Sequence, residues 1–222
     1  MADAVPGPSR SRQVQARRAE LLEAAERVVL ERGLAETRIA DVAAESGVSG
    51  GLVHYHFTSK DQLLTEMLRS AAERDIARAR RLATGPGPAA GRLDKVMREF
   101  VPGPRDQSWV LWIDAWGSAL RDTALRAITE ELDDAWVEVL EQVIRDGARS
   151  GEFDCADPAA SAWRLAALLD GLGLRITLQR GSMSRRQMTE HARVAASLEL
   201  GVDVEAFTAP AADTGRPTAY SD

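Results

Sequence analysis

Two stretches of this 222-residue chain carry side chains whose type and spacing suit chemistry. The first holds Trp109, Trp112 and Trp116, at i, i+3 and i+7, so the three rings share one face of a helix. Four of the five tryptophans lie between residues 109 and 136, the last being Trp136. Such rings either fill a core, the commoner use, or line a cavity, because small-molecule pockets are built from aromatic walls and a few polar groups. Asp170 adds a second feature: it is the lone charge in the apolar run 165–174. A carboxylate in apolar surroundings must be solvated, paired or matched by a ligand. Arg164 and Arg175 both lie off its helical face, which leaves a partner from another helix or a bound cation. The other stretch is His54-Tyr55-His56. Two histidines two residues apart on a helix diverge, unlike the i, i+4 spacing of helical zinc ligands, so no metal is expected.

Enzyme chemistry finds little footing. Gly171-x-Gly173 lacks the third glycine of a dinucleotide loop, no Gly-x-Ser-x-Gly elbow is present, and Cys155 has no neighbouring histidine. We therefore expect no catalytic residues and no cofactor.

The elements that must position these residues are helices. Leu21, Leu22, Ala25, Val28 and Val29 form one apolar stripe, and Leu132, Trp136, Val139, Leu140 and Val143 another. Alternating β-branched runs and hairpin turns are missing, so the fold class is all-α. Gly33, the Gly-Pro-Gly-Pro run within 84–91 and Pro102-Gly103-Pro104 mark stops. Thr58 with Asp61, Asp157 before Pro158, and Ser184 with Gln187 mark starts.

Residues 39–57 read as two short helices with a glycine between them. Ala43, four residues before Gly47, lets the helices approach, and glycine accepts the backbone of a tight turn. Val42, Val48 and Val53 would fill the angle, leaving polar positions on the far side of the second helix, where a recognition helix meets the major groove. Together with Ala24-Ala25, Gly33, Thr37, Ile39-Ala40, Gly47-Val48-Ser49, Tyr55, His56-Phe57, Ser59-Lys60 and Leu63-Leu64, this segment resembles the tetracycline-repressor (TetR) family over residues 17–68. The resemblance implies that Thr37 caps the first helix of the motif and touches a phosphate, and that Lys60 clamps another. It further implies that Ser49, Gly50, Gly51, His54 and Tyr55 face the groove, that His56 contacts the DNA backbone, and that Phe57 is core. Arg38 is a further candidate contact. His54 stands where the family most often has tyrosine, and Gly50 and Gly51 where bulkier readers are common, so side-chain readout is thin and DNA shape carries more.

A formal charge of −6 is compatible with DNA binding because of its distribution. Residues 1–60 hold eight basic and eight acidic side chains, and Arg10, Arg12, Arg17 and Arg18 make a basic N-terminal arm that could lie along a duplex. The acidic excess belongs to the remainder.

The Trp-x-x-Trp-x-Asp-Ala-Trp stretch and residues 168–172 resemble the C-terminal half of TetR-type regulators of the BetI-like branch. That resemblance directs attention to Asp114 and Asp170, since carboxylates among aromatic rings favour a cation, a choline-like compound or a polyamine. Asp114, however, lies about 200° around an ideal helix from Trp112. Helices over 158–179 and 184–200, with stripes Leu165, Leu168, Leu169, Leu172, Ile176 and Met188, Val194, Ala195, Leu198, are expected to close a four-helix bundle in a homodimer.

The expected organisation is a flexible basic arm (1–12), a three-helix helix-turn-helix domain (13–60), a connecting helix (61–83), a helical ligand-binding and dimerisation domain (84–203), and a tail (204–222) disordered from about Thr208. The expected function is a repressor that a small molecule, cationic or otherwise, releases from double-stranded operator DNA. One cysteine and no apolar run of transmembrane length suit a cytoplasmic protein.

Overall fold

The computed structural model describes residues 10–103, 107–179, 181 and 183–208. Among them there is no strand; the chain forms α1 (Arg10–Arg32), α2 (Ile39–Glu45), α3 (Gly50–His56), α4 (Lys60–Ala83), α5 (Ala89–Glu99), α6 (Ser108–Ala119), α7 (Thr123–Ser150), α8 (Pro158–Leu178), α9 (Arg185–Leu200) and a 3-10 turn, Val204–Phe207.

The helix ends follow local chemistry. Gly33 ends α1 at φ +85°, its N–H returning to the Val29 carbonyl at 2.7 Å. The Asp157 carboxylate accepts the Ala160 N–H at 3.0 Å ahead of Pro158, and Ser184 and Gln187 form a reciprocal capping box. At α4 the cap falls one residue later than expected. Ser59 Oγ accepts the Gln62 N–H at 3.1 Å, while Gln62 reaches back to the N–H of Thr58, so glutamine and not Asp61 closes this end.

The chain forms two compact units that interleave in sequence: Met1–Arg74 with Arg105–Asp133, and Asp75–Pro104 with Asp134–Asp222. In the first, α1 packs on α2 and α6, and α2 on α3. Its core includes Leu21, Ala24, Ala25, Leu34, Val42, Val53, Phe57 and Leu63, all buried. In the second, α8 lies on α9, and α5 on α9 and the 3-10 turn. Arg193 of α9 grips Asp94 of α5 with two hydrogen bonds, 2.7 and 3.1 Å, in a largely buried pair.

Three expectations change. Helix α1 already runs through residues 10–12, so the expected arm is helical there, and residues 1–9 lie outside the described residues. The 3-10 turn seats Phe207 at 2% exposure, so the tail is ordered over 204–208, beyond which residues 209–222 are not described. The stripes are used differently from expectation: on α8 Leu165 and Leu169 are buried and Leu168, Leu172 and Ile176 half-buried, while the exposed large apolar side chains of that helix, Trp163, Leu174 and Leu178, lie off the expected stripe; on α9 Met188 is buried, and Val194 and Leu198 are exposed.

Candidate nucleic-acid interface and aromatic cluster

Gly47 takes φ +65° between α2 and α3, a left-handed backbone that lets the two helices turn sharply. Val42, Ala43 and Val53 are buried in the angle and Val48 half-buried, which leaves the opposite side of α3 to solvent. His54, Tyr55 and Gly51 are exposed there, Tyr55 at 72%, with Gly50 half-exposed. Ser49 begins the helix and its Oγ accepts the Leu52 N–H at 3.3 Å. A methyl group at Gly50 would meet nothing within 4 Å, and one at Gly51 would meet only Ser49 Oγ at 3.8 Å, so internal packing does not require either glycine.

The flanks are tied down. Lys60, the first residue of α4, donates from Nζ to the Ala35 carbonyl at 2.8 Å. Arg38 has an exposed side chain, and its backbone N–H donates to Asp41 Oδ2 at 3.1 Å while Asp41 Oδ1 meets Arg32 at 2.9 Å. His56 stands edge-on to Tyr55, with ring centroids 5.1 Å apart. Burial, then the charges of Arg18 and Arg17, holds the His56 pKa below the usual histidine range.

Two assigned roles are corrected. Thr37 is 1% exposed and its hydroxyl donates to the Gly33 carbonyl at 2.7 Å, so it closes the turn after α1, and the cap of α2 passes to Arg38 and Asp41. Arg18, counted with the arm, is turned inward: it donates to the His56 carbonyl and to Glu66. Arg12 and Arg17 remain exposed.

On α6 the three tryptophans come together as their spacing implied. Trp116 lies 6.1 Å from Trp109 and 5.8 Å from Trp112 between ring centroids. Trp109 is buried and the other two half-buried. Sequence reasoning missed their carboxylate, Asp133 of α7, whose Oδ2 accepts the Trp116 indole N–H at 3.2 Å. Its only sequence signal was its place three residues before Trp136, on the side of the helix that this ring uses, and it was masked by the acidic run Glu130, Glu131, Asp133 and Asp134. Asp114 does not join the rings, because its Oδ2 accepts the Leu34 N–H at 2.6 Å, at the end of α1. In the second unit Trp136 packs on Phe100, centroids 4.8 Å apart, and Asp170 is half-buried with partners of its own. That unit also holds a cleft of about 510 Å³ walled by Arg80, Glu138, Glu141, Gln142 and Arg145, which includes none of the expected ligand residues.

Comparison with known proteins gives this arrangement its family. Residues 21–67 match the family described as bacterial regulatory proteins, tetR family, and residues 89–201 match the BetI-type transcriptional repressor C-terminal family. The chain belongs to the TetR family. Among TetR-family relatives, the transcriptional regulator BetI of Paraburkholderia phymatum is 31% identical over 172 residues, covering 72% of this chain and 81% of that protein. The transcriptional repressor KstR2 of Mycobacterium tuberculosis is 30% identical, covering 64% and 74%. A transcriptional regulator of Saccharomonospora viridis, solved in complex with choline, superposes with a TM-score of 0.74 at 30% identity, covering 84% of this chain and 98% of its own. The protein is thus a TetR-family DNA-binding transcription regulator, all-helical, with a BetI-type C-terminal part. Among the described residues no helix is long and apolar enough to cross a membrane.

Proposed function

We propose that this TetR-family protein is a cytoplasmic repressor that grips a palindromic operator as a homodimer and lets go when a small organic cation binds. The observation that carries the reading is the pairing, within the first compact unit, of an exposed α3 face with a tryptophan cluster that meets a carboxylate. Ser49, Gly50, Gly51, His54 and Tyr55 meet base edges; Arg38, His56 and Lys60 meet phosphates and set the register. Trp112, Trp116 and Asp133 offer ring faces and a negative charge, the combination that attracts a quaternary ammonium. The choline bound by the S. viridis neighbour supports that ligand class. Trp163, Leu174 and Leu178 on α8, with Val194 and Leu198 on α9, supply the apolar face for a second copy.

Selection of bound duplexes from a random library, followed by gel shift under a choline titration, tests the reading. A site of two half-sites about 34–36 Å apart, released by choline, is expected. A lone half-site bound by monomer, or operator binding and melting temperature both indifferent to millimolar choline, would sink it.

A further inference from the structure

The short connector from α1 to α2 is held from several sides. Gly33, in the left-handed region at φ +85°, offers its carbonyl to both the N–H (3.2 Å) and the hydroxyl (2.7 Å) of Thr37. Lys60 pins the Ala35 carbonyl at 2.8 Å. Leu34, 1% exposed, donates its N–H to Asp114 on α6 at 2.6 Å. One turn after Thr37 the chain is inside α2, which packs directly on α3. One of the ties that hold the connector, and through it α2 and α3, is therefore a carboxylate placed by α6.

That carboxylate shares α6 with the tryptophans. Asp114 is two residues from both Trp112 and Trp116, so it projects about 200° around the helix from their face. A helix is stiff across two residues, so a shift that reseats the rings carries Asp114 with it. A hydrogen bond of this kind is lost once donor and acceptor separate by about 1 Å beyond its normal length. The buried Leu34 N–H would then lack an acceptor, which opposes small drifts and favours two discrete arrangements.

We propose that Asp114 is the positioning residue that couples the aromatic face of α6 to the helix-turn-helix through the Leu34 amide. This rests on the reading above, that a ligand at the α6 cluster controls operator binding. Asp114 touches neither ligand nor DNA; it acts through the 33–37 connector.

The test compares full-length wild type, Asp114→Ala and Asp114→Asn, the last keeping an acceptor oxygen for Leu34. Operator affinity is measured with and without saturating choline, choline affinity by tryptophan fluorescence, and α6 protection by hydrogen exchange with and without the selected operator. In wild type choline should weaken operator binding by about tenfold or more; in Asp114→Ala the ratio should fall to within about twofold of unity, with choline affinity in the absence of DNA little changed. Asp114→Asn should retain most of the ratio. Operator should protect residues 108–119 in wild type and in Asp114→Asn, and fail to do so in Asp114→Ala. A wild-type ratio in Asp114→Ala, or equal protection of α6 in all three proteins, overturns the proposal. Should choline leave wild type unaffected, the ligand reading falls, while the exchange measurement still decides the coupling, because it uses DNA alone as the effector. Equal melting temperatures for the Ala and Asn variants alongside different coupling would exclude a merely structural role; should Asp114→Ala fail to fold, loss of α6 protection in a folded Asp114→Leu variant is the required result, and its retention the refutation.

Discussion

The guanidinium of Arg18 sits 4.3 Å from the centroid of the Phe57 ring while donating to the His56 carbonyl and to Glu66. One side chain on α1 thus closes the C-terminal end of α3 and fastens it to α4. A cation over an aromatic face and charge-assisted hydrogen bonds act together here, in a partly shielded place. Arg18 shapes the reading head from behind; Lys60 stands at its edge.

These two basic residues should separate cleanly in experiment. Arg18→Ala should lower stability by about 1–2 kcal/mol, discounted for partial exposure, and leave the salt dependence of operator binding unchanged. Lys60→Ala should weaken all sequences alike and lower the salt slope by about 1. Chemical denaturation and binding isotherms over a salt series read both effects, and a reduced slope in Arg18→Ala would reverse the assignment.

Gly50 and Gly51 carry a second contrast. Each has room for a methyl group, and alanine is the better helix former, so Gly50→Ala and Gly51→Ala should each stabilise the fold by up to about 1 kcal/mol. If the α3 backbone comes close to the duplex, the same changes should weaken operator binding or alter the selected sequence. Melting curves and repeat selection test this; higher stability with unchanged selection would remove the glycines from the interface.

His56 predicts a pH dependence of known sign. Its pKa is lowered in the folded protein, first by burial and then by Arg18 and Arg17, so the unfolded chain binds the proton more readily. Stability should therefore be full above the ordinary histidine value, about 6.5, and fall as pH drops from there towards the folded pKa. Asp146 and Glu199, whose pKa values are also lowered, act in the carboxylate range at lower pH. Urea denaturation across pH 5 to 8 should show a slope in that range that His56→Gln removes; an equal slope in the variant would assign the effect elsewhere.

Legibility in the sequence tracked the range of the forces involved. Gly33, Gly47, Asp157 and the Ser184–Gln187 box act within one turn of chain, so their roles could be read from neighbours alone. The clustering of Trp109, Trp112 and Trp116 was likewise a matter of helical geometry. Thr37 misled because a hydroxyl before a helix can either accept an N–H of the first helical turn or donate to a carbonyl behind it, and in the buried connector it donates to Gly33. Asp133 and the Asp114–Leu34 bond join segments 17 and 80 residues apart, a pairing that only tertiary packing decides. The α8 and α9 stripes were visible, yet periodicity could not say that the α8 stripe would be shielded within the chain, that Trp163, Leu174 and Leu178 off that stripe would stay exposed, or that α9 would bury Met188 and expose Val194 and Leu198.

In the second unit the Asp94–Arg193 pair holds α9 to α5. Asp94 is 6% exposed, so Asp94→Ala would strand a guanidinium in poor solvent. A loss of about 2–3 kcal/mol is expected, less than for a fully enclosed pair because Arg193 keeps some contact with water. Double substitution of Asp94 and Arg193 by apolar residues should recover part of it, and a denaturation cycle on the four proteins gives the coupling directly.

The first compact unit is assembled from two separate stretches of chain, with α6 and the start of α7 joined to the helix-turn-helix. Anyone building chimeric regulators by grafting reading heads onto foreign sensors would meet this at once. A cut at residue 84, natural by linear reckoning, leaves the amide of Leu34 without its acceptor and α1 without its neighbour α6. A transplant that carries residues 105–133 along with the head keeps the graft's own wiring, so the workable seam in this protein runs through α4 and α7 and not between them.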